Sequence, residues 1–289
     1  MSRLILGTVQ FGMSYGIANH TGKVSNNQSR GMLNLCRDNN IGMIDTAIAY
    51  GESEKCLGEL GVNSFKIVTK LPSVPYNCKD VSIWVEDQFN ESLLRLGVNS
   101  VYGLLLHRSE QLLEKNGQAI YKAMQSLKES GKVEKVGISI YSPNELDKIF
   151  HLYDLDLIQS PFNLIDQRLF KTGWMDRLHN KNIEIHTRSV FLQGLLLMAQ
   201  ADIPIKFSQW SSIWTKWYKW LNENDILAVD ACLAYPMSFS QINRVVVGAD
   251  NISQLKQIIK AVSIKSPIKF PNLENGDEAL INPSNWSKL

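Results

Sequence analysis

Eight short apolar runs, each about the length of a strand, recur along this chain of 289 residues, with amphipathic stretches between them. The runs are rich in aliphatic and β-branched residues and do not alternate strictly with polar ones. This pattern indicates strands buried on both faces, as in a parallel sheet. The runs lie at Leu4–Leu6, Met43–Ile44, Lys66–Thr69, Val101–Leu106, Val133–Ile140, Leu155–Ile158, Ile183–His186 and Arg244–Val247. Eight is the number of parallel strands that closes an α/β barrel.

Helical patterns fill the intervals between these runs. The stretch 81–96 carries apolar residues at helical spacing and stops at Gly97, a residue type that commonly ends helices. The segment Ser142–Glu145 has the cap, proline and acidic residue of a helix start. Ser25 and Asn251 are expected to open the first and last helices.

No linker with the composition of a domain boundary interrupts the alternation. We therefore predict one α/β domain over residues 1–289, a single (β/α)8 barrel of the TIM type, with an irregular carboxyl-terminal tail over 263–289. A doubly wound sheet is the alternative, but its first strand is usually followed by Gly-x-Gly-x-x-Gly. Here the first strand leads into Gly7–Gly12, which reads Gly-Thr-Val-Gln-Phe-Gly, and there is no Walker-type loop.

Charge and composition exclude several classes of protein. The net charge of +2 argues against a nucleic-acid-binding protein. The amino terminus lacks an apolar run long enough for a signal peptide, and the stretch Val190–Ala199 is well short of the ~20 residues that span a bilayer. The cysteines have no metal-site spacing and are expected to be free thiols; they are Cys36, Cys56, Cys78 and Cys232. We expect a soluble cytoplasmic protein that binds a small molecule, with no metal, membrane or nucleic-acid partner.

Ionisable residues follow three consecutive strands of the predicted barrel. The second run ends in Asp45, the third in Lys70 and the fourth in His107, while Tyr50 follows Asp45 by five residues. Because the active site of such a barrel lies at the carboxyl ends of its strands, these four side chains are expected to converge. Taken singly, each has a structural explanation, as a helix cap, a surface lysine or a hydrogen-bonded core histidine.

The four groups together suit proton transfer to or from an alcohol. The pKa of a phenol is ~10, and an adjacent ammonium lowers it. A carboxylate at Asp45 would hold Lys70 charged, so that Tyr50 could exchange a proton near neutral pH, as carbonyl–alcohol interconversion requires. A neutral His107 could donate a hydrogen bond to the substrate oxygen. One alternative open at this point is a Schiff base on Lys70, as in barrel aldolases.

An aromatic cluster stands apart from this site, at Trp210, Trp214, Trp217, Tyr218 and Trp220. Four of these residues share one helical face. The cluster is interpreted as a helix packing onto the barrel, with the wall of a substrate pocket as the alternative.

The ordered motifs resemble those of the aldo-keto reductase superfamily over nearly the whole chain. The segments are Leu6–Gly12, Asp45–Glu54, Val68–Lys70, Leu104–His107, Gly131–Val133, Gly137–Ser139, Gln159–Asn163, Arg188–Ser189, Gln193–Leu195 and Val247–Ala249. The resemblance implies a barrel enzyme with Tyr50 as general acid/base, Lys70 lowering its pKa, Asp45 paired with Lys70, and His107 orienting the carbonyl. The opening segment 8–16 resembles a bacterial branch associated with the sugar pathways of surface polysaccharides.

The resemblance also implies a nicotinamide dinucleotide bound in an extended pose. It leaves a second alternative open, a regulatory barrel of this superfamily that binds the nicotinamide cofactor without catalysis. The residues that bind the dinucleotide would be Gly7, Thr8, Asp45, Ser139, Gln159, Arg188, Ser189, Phe191, Gln193, Gly194, Gly248, Asp250 and Gln254. Ser139 and Gln159 would hold the carboxamide, and Arg188 would stack on the nicotinamide.

Two departures from the family pattern bear on this cofactor. Ile140 replaces a common asparagine, and the last cofactor loop has Asp250 and Gln254 where many members have the basic groups that grip a 2′-phosphate. The family favours NADP(H), and this loop leaves NAD(H) a serious contender. Polar residues near the mouth suit a hydroxylated substrate such as a sugar; they are Gln10, Tyr15, Tyr76, Arg108 and Asn163.

Overall fold

The computed structural model describes residues 2–262 and 269–289, and its centre is a closed barrel of eight parallel strands. Each strand pairs with the next along the chain, and the eighth pairs with the first. The strands are β1 Leu4–Gly7, β2 Met43–Asp45, β3 Lys66–Leu71, β4 Val101–Leu106, β5 Val133–Ser139, β6 Leu157–Pro161, β7 Glu184–Arg188 and β8 Arg244–Val247. The predicted (β/α)8 barrel is confirmed, although β6 begins two residues later than its apolar run.

Helices cover the outside of the barrel. They are α1 Val9–Gly12, α2 Asn26–Asp38, α3 Ser53–Leu60, α4 Val81–Leu96, α5 Gly117–Glu129, α6 Leu146–Ile149, α7 Arg168–Lys171, α8 Trp174–Asn180, α9 Ser211–Asn224, α10 Ala228–Met237, α11 Ile252–Val262 and α12 Glu278–Ile281. Helix α4 has the predicted bounds, and Gly97 closes it in the left-handed conformation. Ser25 caps α2 as predicted, but the short α1 precedes it, so Ser25 does not open the first helix. None of the helices in these ranges is long and apolar enough to cross a membrane.

The strand register brings the carboxyl ends of the strands to one rim of the barrel. Gly7 of β1 lies opposite Asp45 of β2, and Ser139 of β5 lies opposite Gln159 of β6. Since all strands are parallel, their carboxyl ends and the loops that follow them form one face of the barrel. This face carries the candidate site.

A charged cluster fills the barrel interior towards the amino ends of the strands. The Glu184 carboxylate accepts hydrogen bonds from Tyr102 Oη at 2.6 Å, from His186 Nε2 at 2.8 Å and from Lys135 Nζ. Burial alone would raise the pKa of Glu184, but these three donors hold it well below its usual range. Sequence reasoning missed this cluster, because its members lie on three strands that are far apart in the sequence and come together only in the barrel.

The aromatic cluster lies at the start of α9 and along it, and it packs against neighbouring segments of the chain. The indole nitrogens of three members donate to protein oxygens: Trp210 to Asp277 at 3.1 Å, Trp214 to Phe207 O at 3.0 Å, and Trp217 to Leu196 O at 3.1 Å. These tryptophans are almost fully buried, and none of the five aromatic residues lines the large cavity described below. The packing interpretation is therefore the correct one.

The tail is only partly irregular. Residues 263–268 of the predicted tail lie outside the described residues. From 269 onward the chain contains α12 and a 3₁₀ turn over Pro283–Lys288, which the sequence did not predict. Asn275 N donates to Ile165 O at 3.1 Å, and Trp286 is buried against the barrel. The tail therefore packs on the barrel, and Pro283 and Ser284 reach the cavity.

Tyr102→Phe is expected to destabilise the protein, since it leaves a buried carboxylate with one donor fewer. A hydrogen bond to a charged group contributes about 1.5–3 kcal/mol, so we expect a loss in this range in the free energy of unfolding by urea. Tyr76→Phe is the matched control, because Tyr76 is fully exposed. Equal unfolding midpoints for the two variants would contradict a stabilising role for the cluster.

Candidate active site

A buried ion pair lies at the base of the site, between the ends of β2 and β3. Lys70 Nζ donates to Asp45 Oδ1 at 2.6 Å and to the Thr46 carbonyl at 2.8 Å, and Lys70 is 1% exposed. Burial by itself lowers the pKa of Lys70, but the charge of Asp45 and the neighbouring Tyr50 raise it above its ordinary value. Lys70 is therefore an ammonium at neutral pH.

The second oxygen of Asp45 is also occupied. Gln159 Nε2 donates to Asp45 Oδ2 at 2.6 Å, and Ser139 Oγ donates to Gln159 Oε1 at 3.4 Å. The carboxylate thus receives one charged and one neutral donor. These bonds fix the orientation of Asp45 and link the ends of β2, β3, β5 and β6.

Tyr50 lies above this pair, in the loop between β2 and α3. Its Oη lies 3.5 Å from Lys70 Nζ. The loop is held by close backbone packing, because a Cβ atom at Gly12 would overlap the Tyr50 carbonyl. Burial raises the pKa of Tyr50, and the Lys70 ammonium opposes this rise without reversing it. Lys70 therefore lowers the pKa of Tyr50, as expected, but in the free protein burial raises this pKa by more than Lys70 lowers it.

His107 follows β4 and faces Tyr50. The two rings meet edge to face, with centroids 5.7 Å apart and an interplanar angle of 80°. Burial, together with the positive charges of Lys70 and Arg188, lowers the pKa of His107 to about 4. His107 is therefore a neutral imidazole at pH 7, and its ring N–H can donate a hydrogen bond.

The residues after Tyr50 support the site rather than enter it. Ser53 Oγ donates to Thr8 O at 2.8 Å, which ties the start of α3 to the end of β1. The buried Glu54 accepts from Thr69 Oγ1 at 2.7 Å and from Ser92 Oγ at 2.6 Å. These bonds anchor α3 to β3 and α4. They give a structural reason for the Gly-Glu-Ser-Glu sequence that follows Tyr50.

A cavity of about 1150 Å³ opens above these groups. Most of the predicted site residues line it: Gly7, Thr8, Gln10, Tyr15, Asp45, Tyr50, His107, Ser139, Arg188, Ser189, Phe191, Gln193, Gly194, Gly248, Asp250 and Gln254. Lys70 and Gln159 lie beneath its floor, where they contact Asp45.

Three predicted substrate residues do not line this cavity. Tyr76 is fully exposed in the loop after β3, and Arg108 forms an ion pair with Glu114 at 2.9 Å. Asn163 is fully buried and donates to Ser189 O at 2.9 Å, while its Oδ1 accepts from backbone amides. The structure therefore does not bring these three side chains to the cavity wall, because the direction of each loop decides which side chain reaches the cavity, and the sequence pattern does not specify that direction. Of this group, Gln10 and Tyr15 line the cavity.

Arg188 is fixed at the end of β7 by three contacts. Its Nη2 donates to Ile140 O at 3.0 Å and its Nη1 to Ser189 Oγ at 3.1 Å. Its guanidinium carbon lies 4.9 Å from the centre of the Tyr141 ring. Arg188 therefore presents a positive charge to the cavity in a defined position.

The loop after β7 has an unusual backbone. Ser189, Leu192 and Gln193 have φ values of 61°, 47° and 53°, in the left-handed region that non-glycine residues seldom adopt. Such conformations cost about 1–3 kcal/mol each and concentrate at functional sites. This strain supports a binding role for the loop that lines the cavity.

Several cavity residues were missed by the sequence analysis. They include Asn19, Tyr141, Met198, the first turn of α10 at Leu227–Asp230, and Lys260. Asn19 lies between Gly16 and Gly22, both left-handed, and a glycine-bounded loop after β1 was a usable signal. The first turn of α10 had no such signal in the sequence, because it reaches the cavity only through the packing of the outer helices.

Comparisons with known proteins agree with this geometry. The profile of the Aldo/keto reductase family matches residues 3–271. An oxidoreductase, sirO, of Leptosphaeria maculans is 28% identical over 222 residues, which are 72% of this chain and 65% of that protein. The L-glyceraldehyde 3-phosphate reductase of Escherichia coli O157:H7 is 30% identical over 129 residues, 42% of this chain and 36% of that protein. The chain thus matches less than two thirds of the length of either relative.

A solved structure has the same fold. The aldo-keto reductase AKR11C1 of Bacillus halodurans superposes with a TM-score of 0.74 at 18% identity, covering 93% of this chain and 88% of that one. At this identity, the likeness concerns the fold alone.

The pKa of His107 predicts a pH dependence of stability. The folded pKa of about 4 lies below the ordinary 6.5, so the unfolded chain binds a proton that the folded protein does not between these values. Stability should therefore fall as the pH drops from about 6.5 towards 4. At pH 5.5 we expect His107 to account for about 1 kcal/mol of this loss.

Urea unfolding at pH 7.5 and 5.5 measures this loss. His107→Gln should reduce the difference between the two pH values, whereas His151→Gln, at an exposed position, should leave it unchanged. An unaltered difference in His107→Gln would contradict the assignment of a neutral His107.

Proposed function

The chain belongs to the aldo/keto reductase family, and from this premise we propose that it transfers hydride between a nicotinamide dinucleotide and a carbonyl or alcohol substrate, with Tyr50 as the proton donor or acceptor. The observation that carries the proposal is the convergence of Tyr50, His107 and the Lys70–Asp45 ion pair at one end of a large cavity.

The cavity suits a dinucleotide. Its volume of about 1150 Å³ lies just above the range for small-molecule pockets, roughly 300–1,000 Å³. Gln10 Oε1 is a buried acceptor without a hydrogen-bond partner among the described residues. Gly248 lies beside it, and a Cβ there would come within 2.6 Å of Gln10 Nε2, so the glycine leaves room for the Gln10 side chain at the cavity wall. When bound, the nicotinamide group supplies or accepts the hydride.

Ser139, Gln159 and Arg188 would hold the nicotinamide end. Ser139 lines the cavity and is hydrogen-bonded to Gln159, whose position is set by Asp45. Arg188 is held flat beside Tyr141 at the same rim. Hydroxyl, amide and guanidinium groups in fixed positions suit recognition of a planar carboxamide.

Tyr50 is the proposed source of the proton in carbonyl reduction. As the carbonyl oxygen gains negative charge, the phenol O–H donates its proton to it. The Lys70 ammonium, 3.5 Å away, stabilises the phenolate left behind. Asp45 is a positioning residue that keeps Lys70 charged and in place. Because the pKa of Tyr50 is raised, the free protein holds the proton that reduction consumes.

His107 is the proposed orienting group. A neutral imidazole can donate a hydrogen bond to the substrate oxygen without competing with Tyr50 as an acid. Its edge-to-face contact with Tyr50 places both donors on the same side of the cavity. Together they would bind a carbonyl oxygen between them.

The geometry disfavours a Schiff base on Lys70. That reaction needs a neutral amine exposed to substrate, whereas Lys70 is charged, buried and bound to Asp45 and Thr46. Borohydride treatment with carbonyl substrates should leave Lys70 unmodified. The non-catalytic alternative predicts tight cofactor binding without turnover on any aldehyde, ketone or sugar.

The proposed substrate is hydroxylated, such as a sugar or sugar derivative. Gln10 and Tyr15 are polar groups at the cavity wall that can hydrogen-bond to hydroxyls. The partial similarity to a protein named L-glyceraldehyde 3-phosphate reductase supports a short, oxygen-rich aldehyde as the first substrate to test.

Tyr50→Phe is expected to abolish most of the turnover. Loss of a positioned general acid typically lowers kcat by about 10²–10⁴, and cofactor binding should stay within a few-fold of wild type. The assay is loss of absorbance of the reduced nicotinamide with glyceraldehyde as substrate. Tyr76→Phe is the control and should retain wild-type rates. Turnover at the wild-type rate in Tyr50→Phe would overturn the proposed role.

The pH profiles of the two directions should differ. Reduction needs a protonated Tyr50 and a neutral His107, so its rate should be flat from about pH 5.5 to 9 and fall as His107 protonates near pH 4. Alcohol oxidation needs the phenolate, so its rate should rise with pH across the same range. A reduction rate that falls with an apparent pKa near 7 would contradict the raised Tyr50 pKa.

A further inference from the structure

The cavity extends from the strand ends to the outer layer of helices. One end contains Tyr50, His107 and Ser139, at the rim of the barrel. The other lies between the loop after β8, the first turn of α10 and one face of α11. A dinucleotide whose nicotinamide reaches Tyr50 must therefore place its adenosine towards this outer end.

The outer end is acidic in the part of the chain that the structure describes. Asp230 and Asp250 are its carboxylates, and Lys260 is its ammonium. Lys260 acts mainly on Asp230: burial raises the pKa of Asp230, and the Lys260 charge opposes that rise. Asp250 instead has neutral amides as neighbours: Asn19 Nδ2 donates to its Oδ1 at 3.1 Å. Burial raises the pKa of Asp250, and hydrogen bonds from Gln254 and Gln10 oppose that rise.

Asp250 is held on both sides. Its backbone amide donates to Gln254 Oε1 at 2.7 Å, and the Gln254 amide donates in turn to Asn251 Oδ1 at 2.9 Å. The Asn19 contact comes from the loop between α1 and α2, so Asp250 also joins that loop to the end of β8. The backbone contacts hold the residue in place, and its carboxylate cannot turn away without breaking the hydrogen bond from Asn19.

We infer that Asp250 makes the protein select NAD(H) over NADP(H). The two cofactors differ by one phosphate on the 2′ oxygen of the adenosine ribose. An acidic side chain accepts hydrogen bonds from a free ribose hydroxyl, whereas a 2′-phosphate needs a basic partner. Asp250 Oδ2 can accept such a bond, while the carboxylate repels a phosphate dianion.

This inference rests on the proposed function, and it reverses the order of preference that the family resemblance suggests. Gln254, which stands where many members have an arginine, carries no positive charge, so it cannot supply the ion pair that a 2′-phosphate needs. The preference is electrostatic, so added salt should weaken it.

The test is the binding of two ligand pairs that differ only by the 2′-phosphate. These pairs are NADH with NADPH, and 5′-AMP with adenosine 2′,5′-bisphosphate. Isothermal titration calorimetry gives Kd for each of the four ligands, independently of turnover. For wild type we expect at least tenfold tighter binding of the partner without the phosphate in both pairs.

Asp250→Asn should reduce this preference by about tenfold, mainly by lowering the Kd for NADPH. The variant keeps an oxygen that can accept from Asn19, so the loop contact is preserved. Asp225→Asn is the matched control, because it removes the same charge from an exposed turn at the end of α9. It should leave both ratios at their wild-type values.

The outcomes separate this inference from the function it rests on. Equal or tighter binding of NADPH by wild type, or an unchanged ratio in Asp250→Asn, would overturn the selection by Asp250 while leaving the oxidoreductase proposal intact. Failure of NADH and NADPH alike to bind would overturn both.

Discussion

The ion pair between Lys70 and Asp45 is the interaction on which the rest of the site depends. It places a charged group beneath the cavity floor, where each end has hydrogen-bond partners: Thr46 O for the ammonium and Gln159 for the carboxylate. A buried pair of this kind is tolerated only when its remaining polar atoms are satisfied. Because the charge of Lys70 is balanced by Asp45, the ammonium can stand close to Tyr50 without leaving an unpaired cation in the barrel.

The same charges give Tyr50 and His107 different tasks. Lys70 and Arg188 add to the effect of burial on His107, so it is neutral and can serve as a hydrogen-bond donor. For Tyr50, burial and the lysine oppose each other, and burial is the larger effect in the free protein. A phenol that keeps its proton until negative charge develops beside it suits carbonyl reduction. In the proposed mechanism, His107 is thus a fixed hydrogen-bond donor and Tyr50 carries the proton that is transferred.

The number and spacing of the apolar runs predicted the barrel. The location of Asp45, Lys70 and His107 at the ends of three such runs predicted that these side chains converge, because both predictions depend on local sequence pattern alone. The raised pKa of Tyr50 was not predictable, since it follows from the depth of the loop beneath its neighbours. Tyr76 and Arg108 were misplaced because loop direction depends on packing between distant segments. The Glu184 cluster was missed for a related reason: only closure of the barrel brings its strands together.

The central claim is that Lys70 serves to stabilise charge on Tyr50 and takes no direct part in binding. Single-turnover reduction by Lys70→Met, with cofactor Kd measured on the same sample, tests it most directly. The account predicts a rate at least about 10²-fold below wild type, with cofactor Kd within a few-fold. A rate within twofold of wild type, or a loss explained wholly by weaker cofactor binding, would contradict it.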